Sequence, residues 1–292
     1  MTSEGPLVVK LGGALIDNAH AMRATIAAIG ALEAVAPGST VIVHGGGSAV
    51  DRQLARMGME TRRHEGIRIT PPEQMEQIAA VLAGATSARL TGALLAEGVR
   101  AVGMTLASGG LTRAHVAVRE GVDLGRVGEI AGGCPDVAHA LLERGLVPVI
   151  SSVAADAQGE PLNVNADDAA VAVARIVAAR ALVFLTDVPG VRGAEGQILS
   201  WLDRSAAESL IASGAISGGM IPKVRGAIEA AERCGVPVVI AGWADPAALA
   251  TIAGGGAAGT AFAAGPAAHG AQPGSPATPV RAQPATCMEL RS

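Results

Sequence analysis

The sequence predicts an α/β protein: a mainly parallel central sheet sandwiched by helices, in two lobes, with β-hairpins on its rim. Three observations carry this expectation. Short apolar runs alternate with longer helical patterns along most of the chain, the order that builds parallel sheets. Half of the 292 residues are apolar, chiefly Ala, Val, Leu and Ile, with no tyrosine, two Phe and two Trp. Such a core packs through many small contacts, as where helices lie on a sheet buried on both faces. Glycine clusters also follow the first two apolar runs, where strand passes into helix.

In chain order, strands are expected over 7–11 ("LVVKL"), 40–44 ("TVIVH"), 101–105, 147–150, 181–186 ("ALVFLT") and 236–241. Helices are expected over 19–35, 48–57, 72–95, 135–144, 168–178, 205–213 and 223–234. Pro71 and Pro72 open the third of these, and Asn165 with Asp167 suits a cap at the fifth. The turn-rich inserts "DAQGEPLN" and "VRGAEGQIL" read as rim hairpins. The stretch 265–292, rich in Pro, Ala and Gly and without periodicity, is expected to be a disordered tail.

Composition also excludes. A net charge of −4 argues against an extended basic face for nucleic acid. The start "MTSEGP" lacks the charged and apolar regions of a signal peptide. The apolar region 169–185 is broken by Arg175 and Arg180, so no membrane span is expected and the location is read as cytoplasmic. Three widely spaced cysteines fit neither a disulfide framework nor a zinc site and read as thiols.

The motifs each admit two readings. "VIVHGGGSAVD" places three glycines between a strand and a helix, so that backbone N–H groups and a helix N-terminus can face an anion. The same glycines can serve only a tight turn. "VKLGG" repeats the device at the first strand. Of the 22 basic residues only two, Lys10 and Lys223, are lysine. Lys10 stands near the carboxyl end of its strand, the edge where ligands of open parallel sheets bind. A compact ammonium is not interchangeable with the guanidinium used everywhere else in this chain. "LNVNADDAAV" places Asn163, Asn165 and Asp167 before a helix, as caps or as site residues. Arg68 in "GIRIT" can clamp a carboxylate or lie exposed. Asp187 ends a strand before a Pro-Gly turn, and Lys223 sits at a helix start, where the dipole disfavours a cation.

Taken together, "KLGG", "HGGG", "GIRIT", "LAG", "NVNAD", "TDVPGV", "GGMIPK" and "GTAF", in this order between residues 7 and 262, resemble the amino acid kinase family, and within it the acetylglutamate branch. The resemblance implies an amino-acid-substrate and dimerisation lobe over 1–179 and an ATP lobe over 180–264. It implies that Arg68 holds the α-carboxylate of N-acetyl-L-glutamate and Asn163 its acetamido group. Gly45 and Gly46 would offer N–H groups to the transferring phosphoryl, which Lys10 and Lys223 would flank, with Asp167 holding both lysines. Gly12, Gly13, Asp187, Val188, Gly190 and Ser217 would line the ATP site. The implied reaction is ATP-dependent phosphorylation of the γ-carboxylate, as in arginine biosynthesis, with Mg²⁺ carried by ATP and no dedicated protein metal site.

Two departures from the family pattern bear on this. "ASGG" replaces the usual Lys-Asp pair after the strand 101–105, and the extra N-terminal helix of arginine-inhibited hexamers is missing before residue 7. A homodimer is therefore expected, its two-fold contact made through the small residues of "LAGATSA". Two other functions stay open at this point: a kinase for carrier-linked α-aminoadipate in lysine biosynthesis, and a non-catalytic binding protein on the same fold. The two lysines and Asp167 argue against the latter, since a binder has no need of a transition-state clamp.

Overall fold

A computed structural model of the chain describes residues 5–245 and 247–263; the tail expected over 265–292 lies outside the described residues. Eight strands form one sheet: β1 (Leu7–Leu11), β2 (Thr40–His44), β3 (Ala101–Thr105), β4 (Val147–Ser151), β5 (Ala181–Thr186), β6 (Trp201–Leu202), β7 (Val238–Gly242) and β8 (Thr260–Phe262). Across the sheet they run β6-β8-β7-β5-β1-β2-β4-β3. Every pairing is parallel except β7 with β8. The mainly parallel sheet read from the sequence is the sheet observed.

The helices are α1 (Gly13–Asp17), α2 (Ala19–Val35), α3 (Gly47–Arg56), α4 (Pro72–Ala96), α5 (Asp136–Leu142), α6 (Ala166–Ile176), α7 (Arg204–Ala212), α8 (Met220–Cys234) and α9 (Ala247–Ala253). Alternate residues of the strands feed two cores, because successive side chains leave opposite faces. Val8, Val43 and Leu182 pack with Ala170 of α6 and Val224 of α8. Val9, Ile42 and Val183 pack with Ile26 of α2, Leu90 of α4 and Leu249 of α9.

The differences from expectation have local causes. The last expected strand starts at Val238 and not at 236, since Pro237 has no N–H to enter the ladder. β6 and β8, of two and three residues, are too short to leave a period in the sequence. α8 begins at Met220, three residues early, because Pro222 falls in the first turn, where its missing N–H costs nothing. α4 is long and apolar enough to cross a bilayer by length and composition. Here Leu90 and Leu94 instead enter the core beneath the sheet. Cys234 is a buried free thiol, as read from the sequence.

Three antiparallel hairpins stand on the rim: Arg62–His64 with Ile67–Ile69, Arg113–Val116 with Gly128–Gly132, and Val153–Ala155 with Pro161–Asn163. The third was expected. The insert "VRGAEGQIL" is reduced to a single bridge, Arg192 with Ile198.

Candidate active site

The site lies at the carboxyl edge of β1, β2 and β5, where two glycine loops meet. The edge of β2 continues into Gly45 and Gly46 and then α3. A Cβ on Gly45 would come within 2.9 Å of the Ala166 methyl, and one on Gly46 within 3.0 Å of Leu82. A side chain at Gly45 would therefore clash with α6, and one at Gly46 would push Leu82 of α4 aside, so the loop is held close between the two helices. A π-helical stretch in α4, Ala80–Thr86, presents Leu82 and Thr86 to that loop. On the β1 side, a Cβ on Gly12 would lie 3.4 Å from the Lys10 ammonium, and one on Gly13 3.3 Å from Ser48 Oγ. The two loops thus face each other across the strand ends.

Lys10 sits between Val43 of β2 and Phe184 of β5 in the sheet register. Its Nζ is 2.7 Å from Asp167 Oδ1, with only 16% of the lysine side chain exposed. Asp167 is placed by the cap of α6: Asn165 Oδ1 accepts from the backbone N–H groups of Asp167 and Asp168. Lys223, in the first turn of α8, donates to Asp187 Oδ1 at 2.7 Å. That hydrogen bond, against a smaller opposing effect of burial, holds the Asp187 carboxyl below its ordinary value. The expected arrangement, with Asp167 holding both lysines, differs from this one: each lysine has its own aspartate.

Lys10, Asp167 and Lys223 nevertheless line one cavity of about 300 Å³, floored by Phe184, Thr186 and Ile240. Asp187 reaches it through Lys223, while Val188, Gly190 and Ser217 lie outside its lining. A second cavity of about 140 Å³ is lined by Gly45, Gly46, Arg68 and Asn163, so these four expected residues also come together. Arg68 is buried and enters from the first hairpin. Its guanidinium is 2.6 Å from Asp51 of α3 and donates to Thr61 Oγ1 and the Gly47 carbonyl. Burial works to raise the Asp51 carboxyl, but Arg68 and Arg63 outweigh it and hold it low. Asn163 donates from Nδ2 to Thr70 Oγ1 at 2.9 Å.

Sequence reasoning missed Asp51 and Asp168. Asp51 bridges Arg63 and Arg68 and so fastens the hairpin to α3. Its only trace in the sequence is that it stands four residues past Gly47, one turn into the helix. Among the described residues, no group of three or more His, Cys, Asp or Glu side chains is placed to hold a metal ion.

Residues 5–242 match the amino acid kinase family. The chain belongs to that family. Within it, the chain is 42% identical over 257 residues to an acetylglutamate kinase of Vibrio cholerae, covering 88% of this chain and 97% of that kinase. An acetylglutamate kinase of Vibrio parahaemolyticus is 41% identical over 261 residues, covering 89% and 98%. Among solved structures, an N-acetylglutamate synthase of Neisseria gonorrhoeae, complexed with coenzyme A and N-acetyl-glutamate, is similar at 25% identity and a TM-score of 0.73. That similarity covers 89% of this chain and 59% of the synthase.

Proposed function

We propose that this protein is an acetylglutamate kinase, transferring the γ-phosphoryl of ATP to the γ-carboxylate of N-acetyl-L-glutamate. The observation that carries the reading is the convergence of both lysines of the chain on one cavity, beside a second cavity holding Arg68 and Asn163. Similarity to acetylglutamate kinases over nearly the whole chain supports it.

The chemistry accounts for the residue types. The acceptor carboxylate is ionised at neutral pH, so no general base is required. The obstacle is the approach of an anion to an anionic phosphoryl group, and fixed positive charge with aligned N–H donors lowers it. Lys10 and Lys223 supply the charge from two sides, and the loop at Gly45 and Gly46 supplies N–H groups. Arg68 offers the donor fork for the α-carboxylate, and Asn163 can hydrogen-bond the acetamido group. The carboxyl-terminal part of the chain, from β5 onward, takes the nucleotide. Asp167 and Asp187 each already hold a lysine, so Mg²⁺ is carried by the nucleotide and not by a set of protein carboxylates. The product is N-acetylglutamyl 5-phosphate.

The homodimer belongs to the same reading. β3 is an edge strand, and α4 beside it exposes Gly84, Ala85, Ala88 and Gly92, small residues that admit close helix crossing, together with the apolar Leu95. Sedimentation is expected to give twice the chain mass. The activity is tested by coupled ADP release with N-acetylglutamate, glutamate and α-aminoadipate in parallel. Turnover with N-acetylglutamate alone is the expected result; turnover with α-aminoadipate in its place would overturn the substrate assignment, and no turnover with any would favour a binding protein.

A further inference from the structure

A third cavity, of about 300 Å³, adjoins the two just described, sharing Ile67, Val164 and Asn165 with one and Asp168, Val171 and Arg233 with the other. It runs beneath the hairpin Arg113–Val116 with Gly128–Gly132, against one stripe of α6: Asp168, Val171, Ala172 and Arg175. These positions recur at the helical spacing of three and four, so they share a face. The stripe leads away from the Asn165 end of the helix over about 10 Å, at 1.5 Å per residue. Its floor is apolar, made by Ala117, Leu124 and Val127, which form a small core of their own.

Its rim is cationic. Arg119, Arg175 and Arg233 line it, against two carboxylates, Glu129 and Asp168. Arg119 pairs with Glu129 and Arg233 with Asp168. Among the described residues the Arg175 guanidinium has no ion pair and no hydrogen bond. One positive charge is therefore left over at the outer end of a groove with a charged rim and a narrow apolar floor. A guanidinium fork fits a carboxylate or phosphate in two-pronged fashion, and an apolar floor takes a hydrocarbon body.

We infer that this groove is a binding site for a small organic anion: a carboxylate or phosphate head on a short aliphatic body, the head on Arg175 and the body on Val171, Ala172 and Leu124. The Arg233–Asp168 pair stands between this groove and the cavity holding Lys10 and Lys223, while Ile67, Val164 and Asn165 stand between it and the cavity holding Arg68. The site does not depend on the proposed reaction.

The test is calorimetric titration of the whole protein with hexanoate, with hexyl phosphate to compare heads and hexylamine as the cationic control. Both anions are expected to bind and hexylamine not. R175A is expected to weaken hexanoate about tenfold, as for a lost charged hydrogen bond, and R175E to abolish it. Saturating ADP and N-acetylglutamate are expected to leave the affinity unchanged. Tighter binding of one anion than the other identifies the natural head group. Absence of binding by both anions, indifference to R175A and R175E, or displacement by ADP and N-acetylglutamate would each overturn the site. Because no turnover is measured, failure of the kinase reading leaves this result intact, and the reverse holds as well.

Discussion

The two lysine–aspartate pairs at the cavity that takes both lysines have the same length, 2.7 Å, and different settings. Lys10 rises from the middle of an eight-stranded sheet, 16% exposed, and its partner is fixed by a helix cap. Lys223 stands on the first turn of a helix, 37% exposed, and its partner Asp187 is 64% exposed, close to the 60% of Asp167. The contrast lies in the lysines and in the helix cap behind Asp167. Equal distances therefore conceal unequal preorganisation. A donor anchored between two strands cannot retreat to make room for a larger head group, whereas a helix end can shift with its partner. Electrostatic stabilisation is worth most where the donor need not reorganise as the reaction proceeds.

The largest expected effect follows from this. Lys10→Arg should lower kcat by about 10²–10³, the usual cost of losing one positioned donor, with the fold intact by circular dichroism. A guanidinium keeps the charge but is planar and wider, so it misplaces that charge in a glycine-lined site. Lys223→Arg should cost about tenfold, because the first turn of α8 can yield. Equal losses in the two variants would remove the distinction between strand-held and helix-held lysine, and a near-normal kcat in Lys10→Arg would return that lysine to ordinary structural charge.

A smaller effect tests the other cavity. Arg68→Lys replaces a fork by a point charge and should raise KM for N-acetylglutamate by about tenfold while leaving KM for ATP within about twofold. Asp51→Asn should act in the same direction and more weakly, since it releases the hairpin that carries Arg68 from α3. If KM for ATP rose in place of KM for N-acetylglutamate, the assignment of the two cavities would be reversed.

Much of this was legible in the sequence, for a physical reason. A strand buried on both faces must be a continuous apolar run, so β1, β2 and β5 could be read directly. Lys10 was conspicuous because it interrupts such a run. The first two glycines of "HGGG", Gly45 and Gly46, stand where a Cβ would crowd Ala166 and Leu82. Partners across the chain were not legible. Nothing in "TDVPGV" shows that Asp187 meets Lys223 instead of a ligand, and nothing in "VDRQ" shows that Asp51 holds Arg68. The hairpin Arg113–Val116 with Gly128–Gly132 was missed because its strands are short and mostly exposed, and the polar–apolar alternation of "RAHV" spans only four residues. The anion groove escaped with it, since its wall is that hairpin.

The smallest expected effect carries the contrast of sheet interior and rim from catalysis to stability. His44, the last residue of β2, is fully buried. Its Nδ1–H donates to the Gly45 carbonyl at 3.0 Å, while Nε2 is buried without a partner. Burial pushes the imidazole below its ordinary value of 6.5, the hydrogen bond to Gly45 opposing only in part. The folded protein then keeps this ring neutral where the unfolded chain would protonate it. Stability from this residue is accordingly full above pH 6.5 and is lost as pH falls from 6.5 toward the depressed value, at no more than about 1.4 kcal/mol per pH unit. Asp187, on the rim, is also depressed, but its loss begins only below its ordinary 3.8, so it does not contribute where the His44 loss sets in. His44→Asn retains a donor near the Nδ1 position and removes the titration. Denaturant midpoints measured between about pH 8 and pH 5 should fall for the wild type and stay flatter for the variant. Parallel curves would mean that the ring takes its proton inside the fold, and that the sheet interior at this strand end is wetter than its packing indicates.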